Sequence, residues 1–214
     1  MRFLITAGPT REPLDPVRYL SNRSSGKMGY AIAEAAIQAG HDVMLISGPV
    51  NLNPPDPAKT VFVSTSDEMF DAVQQHVGAC DVLVMSAAVA DYKPASVSKE
   101  KIKKAVASRS LELVPTRDVL ASLPRDRKFL VVGFAAETEN VEANAIKKLR
   151  EKNCDAIVAN DARIAMESDE NEAVILFRDG EKKKISRAPK RIVARELIKI
   201  FENLCEKCLT KKIM

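Results

Sequence analysis

The chain contains no tryptophan and only two histidines, and aromatic residues make up 5% of its 214 positions. So little histidine argues against a hydrolase built around a histidine general base. His41 and His76 are far apart in sequence and read as structural residues. Four cysteines in a chain of this length do not make a disulfide scaffold. Cys80 and Cys154 each precede an apolar run and read as small core residues. Cys205 and Cys208 form a C-x-x-C pair late in a helical pattern, without the two further ligands that a zinc site needs, so no metal site is predicted. There is no run of about eighteen apolar residues, hence no expected membrane span and no membrane partner. The N-terminus reaches Gly8-Pro9 before a signal-peptide core can form, so a cytoplasmic location is expected. Excess charge of one sign is also scarce: 33 Lys and Arg face 29 Asp and Glu, a net +4. From Arg178 onward there are twelve basic and five acidic residues, but Phe201 is the only aromatic among them. A nucleic-acid surface would want interleaved aromatics, so no nucleic-acid partner is expected.

What is present is ordinary folded-domain composition, 46% hydrophobic and 29% charged, read as a single domain over 1–214. Short apolar runs alternate with helical patterns. Strands are predicted at 3–6, 43–46, 61–63, 81–87, 129–133 and 156–158. Helices are predicted at 26–39 with a Ser24 or Ser25 cap, at 67–76 with a Ser66 cap, and at 141–152. This alternation predicts an α/β Rossmann-like three-layer sandwich, a mostly parallel sheet with helices on both faces. Two regions break the pattern. One is a basic insertion at 93–115. The other, 163–187, reads as a separate C-terminal β-hairpin turning at Asp179-Gly180, followed by an amphipathic closing helix over 189–208.

In such sheets ligands lie beyond the carboxyl ends of the strands. The first strand-to-helix connection is about eighteen residues long, where about two to six is usual. It ends in Ser24-Ser25-Gly26, small residues that let an anion approach free N–H groups at a helix start. Neither standard nucleotide fingerprint fits. A P-loop would need glycine at Ser21 and Ser or Thr at Met28, and Gly8 has no partners for a G-x-G-x-x-G turn. After the fourth strand, Met85-Ser86-Ala87-Ala88 and Asp91 provide small residues beside one acceptor, suited to a flat ligand. The basic run at 99–104 suits a triphosphate or a leaving pyrophosphate. Gly133-Phe134 and Asn160-Asp161 end two further strands, and Lys148 and Lys152 share a helix face.

Together these segments resemble one family, the phosphopantothenate–cysteine ligases (phosphopantothenoylcysteine synthetases). The matching pieces are ITAGPTREPLDPVRYLSN, SSGKMG, SAAVADYKP, EKIKK, VGFAAET and IVAND, in family order over residues 2–161. The resemblance implies ligation of L-cysteine to 4′-phosphopantothenate, driven by a nucleoside triphosphate through an acyl-nucleotidylate, as a step of coenzyme A biosynthesis. The bacterial look of the motifs implies CTP; ATP, the eukaryotic choice, is the alternative. Mg²⁺ accompanying the triphosphate is implied, and no flavin.

By the same resemblance Asn22 holds the acyl-nucleotidylate, Arg18 lies on the acyl or phosphate side, and Lys101 stabilises phosphate charge from a mobile loop. Nucleotide contacts fall on Met85, Ser86, Ala87, Asp91, Lys101, Arg117, Asp118, Val119, Leu120, Phe134, Lys148 and Lys152. Phosphate or substrate contacts fall on Gly8, Ser24, Ser25, Gly26 and Ala88. Arg117 departs from the pattern, standing where fused bacterial members have proline. The family is dimeric, and the 163–187 hairpin is a candidate interface. In bacteria the domain usually follows a flavin-dependent decarboxylase. With Met1 directly before the first strand, a free-standing ligase or an excised domain is expected, with a separate or fused decarboxylase as partner. An oxidoreductase on the same fold or an RNA-binding module are the rival classes. They lack, respectively, the glycine fingerprint and the aromatics.

Overall fold

A computed structural model describes residues 1–104, 108–162 and 168–210, the last three by backbone alone. In chain order the first half contains β1 (Arg2–Ala7), β2 (Arg11–Pro13), β3 (Tyr19–Ser21), α1 (Lys27–Gln38), β4 (Asp42–Ser47), β5 (Lys59–Phe62), α2 (Ser66–His76) and β6 (Val82–Met85). The second half contains β7 (Tyr92–Pro94), β8 (Leu113–Pro115), β9 (Leu130–Glu137), α3 (Val141–Glu151), β10 (Ala156–Asp161), β11 (Glu170–Phe177), β12 (Lys182–Pro189) and α4 (Lys190–Thr210).

The main sheet runs β12-β11-β10-β9-β6-β1-β4-β5. The strands from β10 to β5 are parallel, while β11 and β12 join antiparallel. Apolar side chains alternate between two cores. Phe3, Ile5, Val82 and Val84 face α1 and α4, and Leu4, Leu83 and Met85 face α2 and α3. Covering both faces requires strands that are apolar at every position, which is why they read as continuous runs. The three-layer α/β expectation therefore holds.

Several local readings are corrected. The 163–187 hairpin is not separate: its described strands extend the main sheet beside β10. Residues 163–167 of that reading lie outside the described residues. The long first loop holds a two-stranded hairpin, β2 with β3, and the basic insertion holds another, β7 with β8. β9 reaches Glu137 rather than stopping at 133, because its polar end still pairs with Asn160 and Asp161. The cap of α2 is Thr65, not Ser66. The Thr65 hydroxyl accepts the Glu68 N–H at 3.2 Å, while Glu68 accepts the Thr65 N–H, a reciprocal box that Ser66 cannot form from inside the first turn.

α1 likewise has neither serine as its cap. Gly26 occupies that position in left-handed backbone, φ 76°, with no side chain capping the helix. A side chain at 26 would be strained there and would press on Val50. The Ser24 hydroxyl only accepts the Gly26 N–H, at 3.3 Å. Gly29 serves a different purpose. An added Cβ would lie 2.6 Å from the Ala7 Cβ and 2.7 Å from the Ser86 hydroxyl, so glycine is what lets α1 seat on the ends of β1 and β6.

Candidate active site

Two adjoining cavities lie beyond the carboxyl ends of β1, β6, β9 and β10. One, about 290 Å³, is lined by Asn22, Ser24, Ser25, Gly26, Ser86, Ala87, Ala88, Asp91, Phe134 and Lys148, together with Lys27, Asn160, Asn171 and Lys190. The other, about 350 Å³, is lined by Met85, Ala87, Asp91, Arg117, Asp118, Val119, Leu120, Phe134, Lys148 and Lys152, together with Thr116. Ala87, Asp91, Phe134 and Lys148 border both, which joins the predicted anion end to the predicted base end. Larger cavities open at the opposite end of the sheet, around His41. The carboxyl-end pair is the candidate, because that is where α/β sheets bind ligands and where polar groups from several loops converge.

Hydrogen bonds stitch the loop after β6 to the loop after β1. The buried Thr6 hydroxyl accepts the Ala87 N–H at 3.1 Å, and the Ser86 hydroxyl donates to the Thr6 carbonyl at 2.5 Å. The Ala88 N–H donates to the Gly8 carbonyl at 2.9 Å, and the Thr10 hydroxyl accepts the Ala90 N–H at 3.0 Å. Ser86 and Gly8 are thereby engaged in building the wall. Gly8 is not itself among the lining residues. Asn22 sits on this wall, its Nδ2 donating to the Ala88 carbonyl at 2.8 Å. With the amide so oriented, its carbonyl oxygen is the other polar handle at the cavity rim.

Lysines dominate the charge of the lining: Lys27, Lys148 and Lys190 in one cavity, Lys148 and Lys152 in the other. Lys148 donates to the Phe134 carbonyl at 2.7 Å, which fixes both along the shared wall. Burial, and then the charge of Lys27, push Lys190 below its ordinary range. Lys152 pairs with Asp118. Burial works against the Asp118 carboxylate, yet this ion pair and the Ala121 N–H at 2.9 Å hold it below its ordinary range. Such a lining attracts an anion and, in part-dry surroundings, binds it with charge-assisted hydrogen bonds.

Three predicted residues point elsewhere. Arg117 turns to α2, donating to Asp67 at 3.0 Å and Asp71 at 2.7 Å with its guanidinium over the Phe70 ring. Its contribution to the cavity wall is therefore its backbone and stem. Arg18 pairs with Asp15. Lys101 lies outside the lining of both cavities and makes no hydrogen bond or ion pair among the described residues.

Asn160, at the end of its strand as read, lines the first cavity, and Asn171, Lys27 and Lys190 line it with no site role expected of them from the sequence. Asn171 stands between Glu170 and Glu172 at the polar start of β11, so only the fold shows that it turns inward, 1% exposed, to meet Asn160 at 3.2 Å. Nothing in the sequence brings Lys190 to Lys27, since that requires knowing that α4 returns beside α1.

Cys80 and Cys154 are buried core residues, as read. Burial pushes the Cys80 thiol up to about 12 and the Cys154 thiol up to about 11, far from nucleophilic poise. His41 stacks on Phe3, with Nε2 2.8 Å from Glu202. The Cys208 side chain lies outside the described residues.

A family model described as the DNA/pantothenate metabolism flavoprotein C-terminal domain matches residues 1–204. The chain belongs to that family. A relative from Bacillus subtilis, the coenzyme A biosynthesis bifunctional protein CoaBC, is 45% identical over 91% of the chain. The chain spans about half the length of that relative, 49%. A crystal structure of the C-terminal domain of a CoaBC protein superposes with a TM-score of 0.83 at 47% identity, covering 96% of each chain. A Cab2 variant solved in complex with phosphopantothenate-cysteine shares the fold, with a TM-score of 0.81 at 15% identity over 100% of this chain and 89% of its own. Membership of the flavoprotein C-terminal domain family agrees with the family resemblance read from the motifs.

Proposed function

We propose that this chain joins L-cysteine to 4′-phosphopantothenate with CTP, as a step of coenzyme A biosynthesis. The observation that carries this reading is the pair of adjoining, lysine-lined cavities that share Ala87, Asp91, Phe134 and Lys148, with the Asn22 amide on the rim of one. Two cavities with a common wall suit two substrates that must meet at one atom. The family relatives are named for coenzyme A biosynthesis, which supports the same assignment.

In this scheme the nucleotide lies along Asp91, residues 117–120 and Lys152, and the acyl substrate's phosphate lies toward the uncapped start of α1 at Gly26. The pantothenate carboxylate attacks the α-phosphorus, a P–O bond to pyrophosphate breaks, and an acyl-cytidylate forms. The cysteine amine then attacks the acyl carbon, and CMP leaves with the C–O bond electrons. The amine loses its proton as the amide forms. Asn22 holds the acyl-cytidylate, because an uncharged amide presents both donor and acceptor without repelling phosphoryl oxygens. Lys101 stabilises charge on the departing pyrophosphate. Mg²⁺ enters as the counterion of the triphosphate, part of the substrate. Among the described residues no three His, Cys, Asp or Glu side chains gather to hold an ion of their own.

The same reading places the chain in the cytoplasm beside a decarboxylase, fused or separate, to which any flavin belongs. It also takes a second copy of the chain as partner. The edge strand β12 carries Lys182, Lys183 and Lys184 exposed, charges that discourage edge pairing. The two small sheets are the better interface: β2 lies beside β7, and Val17, Tyr19, Tyr92, Val97, Leu111 and Leu113 are exposed there. Incubation with phosphopantothenate, cysteine, Mg²⁺ and CTP should yield phosphopantothenoylcysteine, CMP and pyrophosphate in equal amounts. Absence of pyrophosphate with every nucleotide refutes the assignment.

A further inference from the structure

Asp15 belongs to no motif role assigned above, yet it is the most thoroughly engaged carboxylate near the site. Its side chain has no exposed surface. Oδ1 accepts the backbone N–H groups of Val17 at 2.8 Å and Arg18 at 2.9 Å. Oδ2 accepts from the Arg18 guanidinium, Nε at 3.0 Å and also Nη2, and from the backbone N–H of Ile102 at 3.0 Å. Arg18 Nη2 donates in turn to the Ile102 carbonyl at 2.7 Å. Both backbone polar groups of Ile102 are thus held by one ion pair, the buried Asp15 carboxylate, 87 residues away in sequence, and the half-exposed Arg18 guanidinium. A second tie lies beside it, the Ser98 N–H donating to the Leu14 carbonyl at 3.0 Å.

Ile102 follows Lys101 directly, in the basic segment that suits a triphosphate and that the family resemblance makes a mobile loop. Burying a carboxylate is costly unless donors surround it, and here the donors of its own loop, Val17 and Arg18, are joined by one from another loop, the Ile102 N–H. We propose that Asp15, acting through Arg18, is a positioning residue that clasps the peptide at Ile102 and so sets where Lys101 can deliver its charge. The proposal rests on the ligase reading given above. It also gives Arg18 a task beside any contact with the acyl or phosphate group: its Nε and Nη2 are engaged by Asp15 and Ile102. A segment ordered before substrate arrives leaves less freedom to be lost as the transition state forms.

The test compares Asp15→Asn, Lys101→Gln and the double variant in two half-reactions. One is pyrophosphate release from phosphopantothenate and CTP without cysteine; the other is the reaction of supplied acyl-cytidylate with cysteine. Asparagine keeps the shape of Asp15 but turns an NH₂ toward groups that are themselves donors. In Asp15→Asn, kcat of the first half-reaction should fall by about tenfold or more, with the CTP KM and the second half-reaction each changed less than about threefold. The double variant should be no slower than Lys101→Gln, because the two act through one group. Trypsin should cut the 99–104 segment faster in Asp15→Asn. Arg18→Lys, which keeps the charge but loses donors, should show a smaller loss in the same half-reaction, and it decides the matter if Asp15→Asn does not fold. Normal activation in these variants, equal losses in both half-reactions, or losses that multiply in the double variant would overturn the role of Asp15. A wild-type protein that releases no pyrophosphate refutes the ligase reading itself, a distinct outcome.

Discussion

Replacing Asn22 by aspartate separates the site's chemistry from its architecture. Asn22 is exposed on its loop, and its only described side-chain bond is the 2.8 Å donation to the Ala88 carbonyl. Aspartate cannot donate, so that bond is lost, but Ala88 still accepts the Thr10 N–H at 3.2 Å and is not left unpaired. The cost to folding should therefore be about 1 kcal/mol or less. The cost to catalysis should be larger. The Asn22 amide has a second N–H besides the one given to Ala88, and losing that donor to negative charge on the intermediate is worth about 3 kcal/mol in a partly dry site. A carboxylate about 5 Å from a phosphoryl charge adds about 3 kcal/mol of repulsion at an effective dielectric of about 20. The first contribution alone slows the step roughly a hundredfold. Rapid quench with cysteine present should show pyrophosphate released at a near-normal rate while phosphopantothenoylcysteine lags and acyl-cytidylate accumulates. Asn22→Ala, which loses the donor without gaining charge, should lie between wild type and aspartate. An aspartate variant that converts the intermediate at the normal rate would remove Asn22 from the mechanism.

Other consequences are equally open to measurement. Lys101→Gln should slow pyrophosphate release roughly a hundredfold while the CTP KM changes little, and normal activation would make the basic segment a mere solvated surface. Gly29→Ala should lower stability by about 1–3 kcal/mol in denaturant titration, since the new methyl meets Ala7 and Ser86 inside contact distance; an unchanged midpoint would show that α1 does not need this seat. Asp15, Asp67, Asp71, Asp81 and Asp118 are all held below their ordinary value of 3.8 by arginine, lysine or backbone donors. A depressed folded pKa contributes stability above the unfolded value and loses it as pH falls further. The melting temperature should thus be nearly level between about pH 7 and 5 and drop below about 4; a rise on acidification would contradict these pairings.

Much of this molecule is readable before folding. Strands buried on both faces announce themselves as unbroken apolar runs, and the carboxyl-end rule then directs attention to the loops that line the two cavities. Features that depend on geometry across the chain are less accessible. Asn171 and Lys190 become neighbours of the site only because β11 returns antiparallel and α4 packs back on α1. Arg117 looks like a nucleotide contact until Asp67 and Asp71 of α2 are seen to claim its guanidinium. The caps of α1 and α2 were misplaced by one or two residues, since several small polar residues in a row compete for one position and only backbone geometry chooses between them. Asp15 and Ile102 escape notice because their link passes through a backbone N–H, which every sequence position offers alike.

The most direct test is the rate of pyrophosphate release at saturating phosphopantothenate, Mg²⁺ and cysteine, with CTP and ATP compared in parallel. The account predicts stoichiometric pyrophosphate, CMP and phosphopantothenoylcysteine, and a kcat/KM for CTP well above that for ATP, because a hydrogen-bonding edge rejects a base that leaves its groups unpaired. Equal use of both nucleotides would contradict the assignment of CTP. No pyrophosphate from either, with folded protein, would contradict the ligase itself.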